Sequence, residues 1–199
     1  METIRAFIAV ELPAEVRDAL ARAEKALQAA DSAAARSVKW VEPGSIHLTL
    51  KFLGETPMVK LDAIGAALQQ ATSSRAPIML VLGKPGCFPN SRQPRVLWIG
   101  LAGDLAALEQ LQAAVEATVT PLGFPAGSRR FTPHLTLGRL RDDAAADARQ
   151  RLGAAVQSLR TSSVAFPVTH ISLMRSDLRP TGAVYTRLAE AGLEAAGNT

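Results

Sequence analysis

Residues 46–53 read Ile46-His47-Leu48-Thr49-Leu50-Lys51-Phe52-Leu53, and His134-Leu135-Thr136-Leu137 repeats the tetrapeptide that starts at His47. Each copy follows a turn proline at short distance, Pro43 in one case and Pro133 in the other. Apolar and polar residues alternate, which predicts a half-buried strand. Side chains at i and i+2 of a strand share a face. Ile46, Leu48, Leu50 and Phe52 are therefore expected on a core side, with His47, Thr49 and Lys51 opposite. In the second copy Leu135 and Leu137 face a core while His134 and Thr136 face away. The two histidines stand 87 residues apart, close to half of the 199-residue chain. This weak internal repetition is consistent with two related lobes.

Working outward, residues 5–12 form an apolar run stopped by Pro13 and read as a buried strand. Residues 14–30 read as an amphipathic helix opened by that proline. A short strand is expected over residues 38–41, a helix over 61–72, and strands over 77–82 and 95–101. Between these last two, residues 83–94 form a Gly/Pro-rich loop, long for a hairpin and so a candidate functional loop. The second half predicts helices over 104–120 and 142–159 and strands over 131–140, 164–174 and 183–188. Strands joined by short turns, with two helices in each half, predict an α+β fold of mainly antiparallel sheets. No Pro/Ser linker divides the chain. Residues 1–193 are expected as one two-lobed unit, and residues 194–199 as a frayed tail.

Composition narrows the class. With 48% hydrophobic and 20% charged residues, the chain is neither disordered nor a disulfide scaffold. Its lone cysteine, Cys87, cannot close an internal disulfide. No apolar run approaches a membrane span or a signal peptide. A soluble, cytoplasmic protein with no membrane association is expected. The net charge of +4 and pI near 9.7 tolerate phosphates as partners. Seventeen of the 22 basic residues are arginines, which suit phosphate, although a coding bias would give the same excess.

The histidine strands carry the chemistry. Each displays one imidazole and one hydroxyl roughly 6–7 Å apart along the backbone. Imidazole titrates near neutral pH, so one ring can act as a base while the other is protonated. Threonine hydroxyls can donate to phosphoryl oxygens. Opening a cyclic phosphate with water needs both halves: a base for the water and an acid for the departing ribose oxygen. No metal or other cofactor is required for this, and the three histidines lack metal-ligand spacing.

The paired His-x-Thr-Leu motifs resemble those of the two-histidine phosphoesterase superfamily. The wider context is similar to its RNA 2′,3′-cyclic phosphodiesterases, also called 2′-5′ RNA ligase-like proteins. The resemblance rests on residues 5–13 (Arg-Ala-Phe-Ile-Ala-Val-Glu-Leu-Pro), 39–55, 129–138 and 173–185. It implies two pseudo-symmetric lobes around a central cleft, with His47 as proton donor and His134 as proton acceptor. It implies phosphate contacts from Thr49, Thr136 and Arg129. The implied reaction opens the 2′,3′-cyclic phosphate of an RNA end to a 2′-phosphomonoester. Some relatives also join tRNA halves through a 2′-5′ bond without ATP. The chain departs from the family's Arg-Pro-Phe by reading Arg129-Arg130-Phe131, which leaves open which arginine reaches the phosphate.

Other candidates have plainer readings beside them. Arg130 and Arg141 suit RNA contact or a solvated basic surface. Arg139 lies five residues from His134, an odd offset that an ideal strand sends to the opposite face; only a bend or strand end brings it into the cleft. Phe131 and Tyr185 suit base stacking, and Phe131 equally suits a core. His170 lacks the motif and is left out of the site, and Cys87 reads as a spectator. Competing functions are hydrolysis of 2′-5′ oligonucleotides or another small cyclic phosphate, and a non-catalytic RNA-binding module. A monomer is expected, with RNA as partner.

Overall fold

A computed structural model describes residues 2–128, 130–179 and 182–194. Its strands are β1 (Thr3–Glu11), β2 (Val38–Trp40), β3 (His47–Pro57), β4 (Ile78–Phe88), β5 (Val96–Gly103), β6 (His134–Leu140), β7 (Ala165–Val168), β8 (His170–Arg179) and β9 (Gly182–Gly192). Its helices are α1 (Ala14–Ala30), the short α2 (Ser32–Ala35), α3 (Leu61–Thr72), α4 (Leu105–Val119) and α5 (Ala146–Ser158). One sheet has the order β3-β1-β8-β9 and the other β2-β6-β5-β4-β7. All pairings are antiparallel, as expected of the α+β class.

The lobes are not the two halves of the chain. β8 and β9, made last, complete the sheet that β1 and β3 begin, and β2 joins the opposite sheet. Residues 164–174, expected as one strand, are two: β7 and β8 belong to different sheets and part at Thr169. The first half of the long loop expected over residues 83–94 is strand, because β4 runs on to Phe88. The terminal residues 195–199 lie outside the described residues.

The long helices back the leucine-bearing faces. In α1, Val16, Leu20, Ala23 and Leu27 recur at helical spacing and are buried. They join Ile64 and Leu68 of α3, Leu108 and Leu111 of α4, and Leu152 of α5 in one continuous core shared by both sheets. Leu48 and Leu135 are fully buried in it. A one-residue slip of either motif strand would exchange its leucines for His and Thr. Each leucine is worth about 1.5–3 kcal/mol when buried, so the core fixes which way the histidines point.

Glu24 is an exception to this core. It is buried on α1, and its Oε1 has no hydrogen-bond partner among the described residues. Burial, with the nearby charge of Glu42, pushes its carboxyl up to about 8. The unfolded chain releases that proton near 4.5, so Glu24 costs stability progressively as pH rises from 4.5 to 8. Glu24→Gln is expected to add about 1 kcal/mol at pH 8.5, roughly 2–4 °C in melting temperature, with little gain at pH 5. Thermal melts of both proteins at the two pH values check this; an equal gain at both would count against it.

Candidate active site

His47 opens β3 and His134 opens β6. The two rings are held in matching ways. The Nδ1–H of His47 donates to the Ser45 carbonyl at 3.0 Å, and that of His134 to the Thr132 carbonyl at 2.7 Å. A carbonyl only accepts, so Nδ1 carries the hydrogen in both rings and Nε2 is left to exchange protons. Aromatic rings bracket each imidazole. Phe7 of β1 stacks on His47 with centroids 4.5 Å apart, and Tyr185 of β9 meets its edge at 5.0 Å. Phe88 meets the edge of His134 at 4.9 Å, and Trp98 lies 6.3 Å away. A side chain at Gly86 would bring its Cβ within 2.3 Å of the Trp98 ring, so the close approach of that indole to β4 requires glycine there.

Thr49 and Thr136 sit two residues along from the histidines, half-buried on the same faces. Among the described residues, neither hydroxyl is tied to a hydrogen bond within the protein. Beyond them, both strands break the expected alternation. The register of β6 against β5 skips Leu137, pairing Leu97 with Gly138 and Trp98 with Thr136. The register of β3 against β1 skips Leu50, pairing Ile8 with Lys51 and Ala9 with Thr49. Each skip is a β-bulge that reverses the facing of the residues after it, in β3 as far as a second skip at Leu53.

Three facings change as a result. Arg139, at an odd offset, comes onto the His134 face and is exposed. Phe52, expected in the core, is 66% exposed on the His47 face, its ring 6.3 Å from Phe7. Lys51, expected beside His47, is buried instead. Its Nζ reaches Glu116 at 2.6 Å and the Pro125 carbonyl at 2.5 Å.

Burial lowers the pKa of His47, while the Ser45 carbonyl and the Glu11 charge pull it back up. The Tyr185 phenol is raised by burial and drawn down by the charges of Arg139 and Arg5. That coupling spans the two sheets: Arg139 comes from β6, Tyr185 from β9. Phe7, Ala9 and Met174, with Tyr185, form a small apolar cluster of their own under this wall, separate from the main core.

Of the other sequence candidates, Tyr185 is at the site, Arg130 is exposed on the loop before β6, and Phe131 packs against the main core. Arg129 lies outside the described residues. Burial pushes the Cys87 thiol up to about 11, so it is no thiolate nucleophile at neutral pH. Sequence reasoning missed Phe7, Phe52, Phe88 and Trp98. Phe7 and Phe88 lay inside stretches read only as a strand and a loop, and Phe52 was misplaced by the bulge.

His170 sits in a charged network further along the same sheet. Donor atoms of Glu11, His170 and Glu190 approach within 4.8 Å of one another. Arg187 bonds Glu190 and stands 3.6 Å from Glu11. A guanidinium already serves both carboxylates, so the cluster is an ion-pair network rather than a metal centre. No helix among the described residues is long and apolar enough to cross a membrane.

A family model for the 2′-5′ RNA ligase superfamily matches residues 12–180. The chain is 33% identical over 183 residues to the RNA 2′,3′-cyclic phosphodiesterase of Methanothermobacter thermautotrophicus, covering 92% of this chain and 95% of that one. It is 35% identical over 195 residues to the protein of the same name from Thermus thermophilus, covering 96% and 90%. Among solved structures, TT0787 of Thermus thermophilus matches with a TM-score of 0.78 at 32% identity, covering 96% of this chain and 98% of that one. E. coli LigT complexed with 3′-AMP matches at 0.74 and 25% identity, covering 96% and 99%. With two motif histidines held alike on the two sheets and a family match over most of its length, the chain belongs to the 2′-5′ RNA ligase superfamily.

Proposed function

We propose that the protein hydrolyses the 2′,3′-cyclic phosphate of RNA ends to a 2′-phosphomonoester, without a metal, as a monomer in the cytoplasm. The observation that carries this reading is the pair of imidazoles whose Nδ1–H groups are both tied to carbonyls, leaving two Nε2 atoms for proton transfer. The relatives named RNA 2′,3′-cyclic phosphodiesterase support it. Water attacks phosphorus as neutral His134 takes its proton at Nε2. The bond from phosphorus to the 3′ oxygen breaks, and protonated His47 delivers its Nε2 proton to that oxygen. Thr49 and Thr136 donate to the non-bridging oxygens. Arg129 and Arg139 are the arginines offered to the phosphate, and Arg130 to the RNA strand. Tyr185, with the exposed Phe52, offers apolar surface to a base, and Phe131 is the less exposed candidate. Joining a 5′-hydroxyl end to the same phosphate changes only the attacking oxygen and yields a 2′-5′ bond, so tRNA fragments are candidate substrates for either direction.

The test is an RNA oligonucleotide ending in a 2′,3′-cyclic phosphate, incubated with EDTA, with 2′- and 3′-phosphate products resolved. Accumulation of the 2′-phosphate is expected. A requirement for added metal would overturn the two-histidine mechanism. Binding without turnover at any pH from about 5 to 9 would favour the RNA-binding module.

A further inference from the structure

We infer that Glu11 is a positioning residue for the reaction proposed above: its carboxylate, held across the sheet by Ser172 and Arg187, favours the protonated form of His47 that the leaving oxygen requires. The inference rests on that reading of His47 as the acid. Glu11 is directly opposite His47 in the β1–β3 ladder. Opposed residues of an antiparallel pair project to one face, with Cβ atoms about 4.5–5.5 Å apart.

The carboxylate is anchored rather than free. Ser172 of β8 is fully buried, and its hydroxyl donates to Glu11 Oε1 at 2.7 Å. Ser172 pairs with Ala9, two residues before Glu11 on the same face of β1; the small Ala9 methyl leaves the hydroxyl a diagonal path. From β9, Arg187 approaches the same oxygen.

The need for such a group follows from the surroundings of His47. Phe7 and Tyr185 cover two sides of the ring, and taking an imidazolium out of water disfavours its charged form. The charged and titratable groups around the Glu11–His47 pair come from every neighbouring strand. The charges of Arg5 of β1 and Arg139 of β6 act on the Tyr185 phenol of β9. Glu190 of β9 and His170 of β8 lie beyond Arg187, with His170 Nε2 3.9 Å from Glu190. Lys51 of β3 points into the core. Glu11 is the carboxylate directly opposite the ring, while the cations nearby act against its protonation.

The experiment compares wild type with Glu11→Gln, which keeps an oxygen for Ser172 but removes the charge. Side-chain NMR titration of His47 is expected to move to lower pH by about one pH unit, with the His134 titration unmoved. The alkaline limb of kcat/KM should follow by the same amount, because His47 must be protonated, while the acid limb stays. Ser172→Ala, which frees the carboxylate, should give a smaller displacement of the same sign. Thermal melts show that each variant is folded. An unmoved His47 titration, or a loss of rate that is uniform in pH, overturns the inference. Movement of the acid limb instead would overturn it by making His47 the base. A wild-type chain that never turns over the cyclic phosphate would overturn the phosphodiesterase reading, while the titration still decides the link between Glu11 and His47.

Discussion

His134→Ala is expected to lower kcat/KM on a cyclic-phosphate RNA end by roughly 10²–10⁴-fold, and His47→Ala by a similar factor. The double variant should be little worse than either alone, because residues that act in one proton-transfer unit are not additive. The two losses differ in kind. On the proposed mechanism the His47 variant lacks the group that protonates the 3′ oxygen, so its alkaline limb should disappear; the His134 variant should lose the acid limb. A phosphodiester with a nitrophenolate leaving group departs without a proton. On that substrate the His47 variant should recover most of its rate, while the His134 variant stays impaired. Steady-state rates across pH on both substrates check the assignment. Equal recovery of both variants would mean that the roles are not divided between the rings. RNA affinity of the double variant should survive largely intact, since the hydroxyls, the arginines and the aromatic wall remain.

Lys51→Met is expected to destabilise the fold by about 3–5 kcal/mol. The Lys51 side chain is only 7% exposed and that of Glu116 17%, at a separation of 2.6 Å. Removing the ammonium leaves a nearly buried carboxylate with Gln112 and the Gly127 N–H as its partners among the described residues. The same ammonium holds the Pro125 carbonyl, so the chain approaching β6 should loosen as well. Lys51→Met combined with Glu116→Leu should recover much of the loss, because an apolar pair has no charge left to desolvate. Urea denaturation of the single and double variants measures this. A single-variant loss below about 1 kcal/mol would mean that the pair behaves like an exposed one.

Much of this site was legible from the motifs themselves. Period-two alternation placed His47, Thr49, His134 and Thr136 on the faces they occupy, because four buried leucines enforce that register. What escaped lay just beyond. Skipping Leu50 and Leu137 in the ladders inverts the facing of Lys51, Phe52 and Arg139; Gly138, inside the second strand, is a local signal of a bulge that the alternation reading passed over, while nothing beside Leu50 marks the first. Both bulges fall on the third residue after a histidine, so the exposed Phe52 and Arg139 occupy equivalent places in the two lobes. The division of residues 164–174 between two sheets was invisible for a related reason. Over residues 164–174 both strands are extended and carry buried apolar side chains, and only their partners distinguish them. The mixing of the two halves is a matter of long-range pairing, on which local pattern is silent.

That mixing bears on the order of synthesis. His47 leaves the ribosome early, yet one edge of β1 waits for β8, and the Tyr185 edge of the imidazole waits for β9. Contacts between the first strand and the penultimate one are about as non-local as the chain allows, which favours slow, concerted folding over stepwise assembly. A growing chain therefore carries its first motif without a finished wall around it. The wall around His47 is complete only when the last hairpin docks, so a truncated translation product would hold that histidine without its Tyr185 edge.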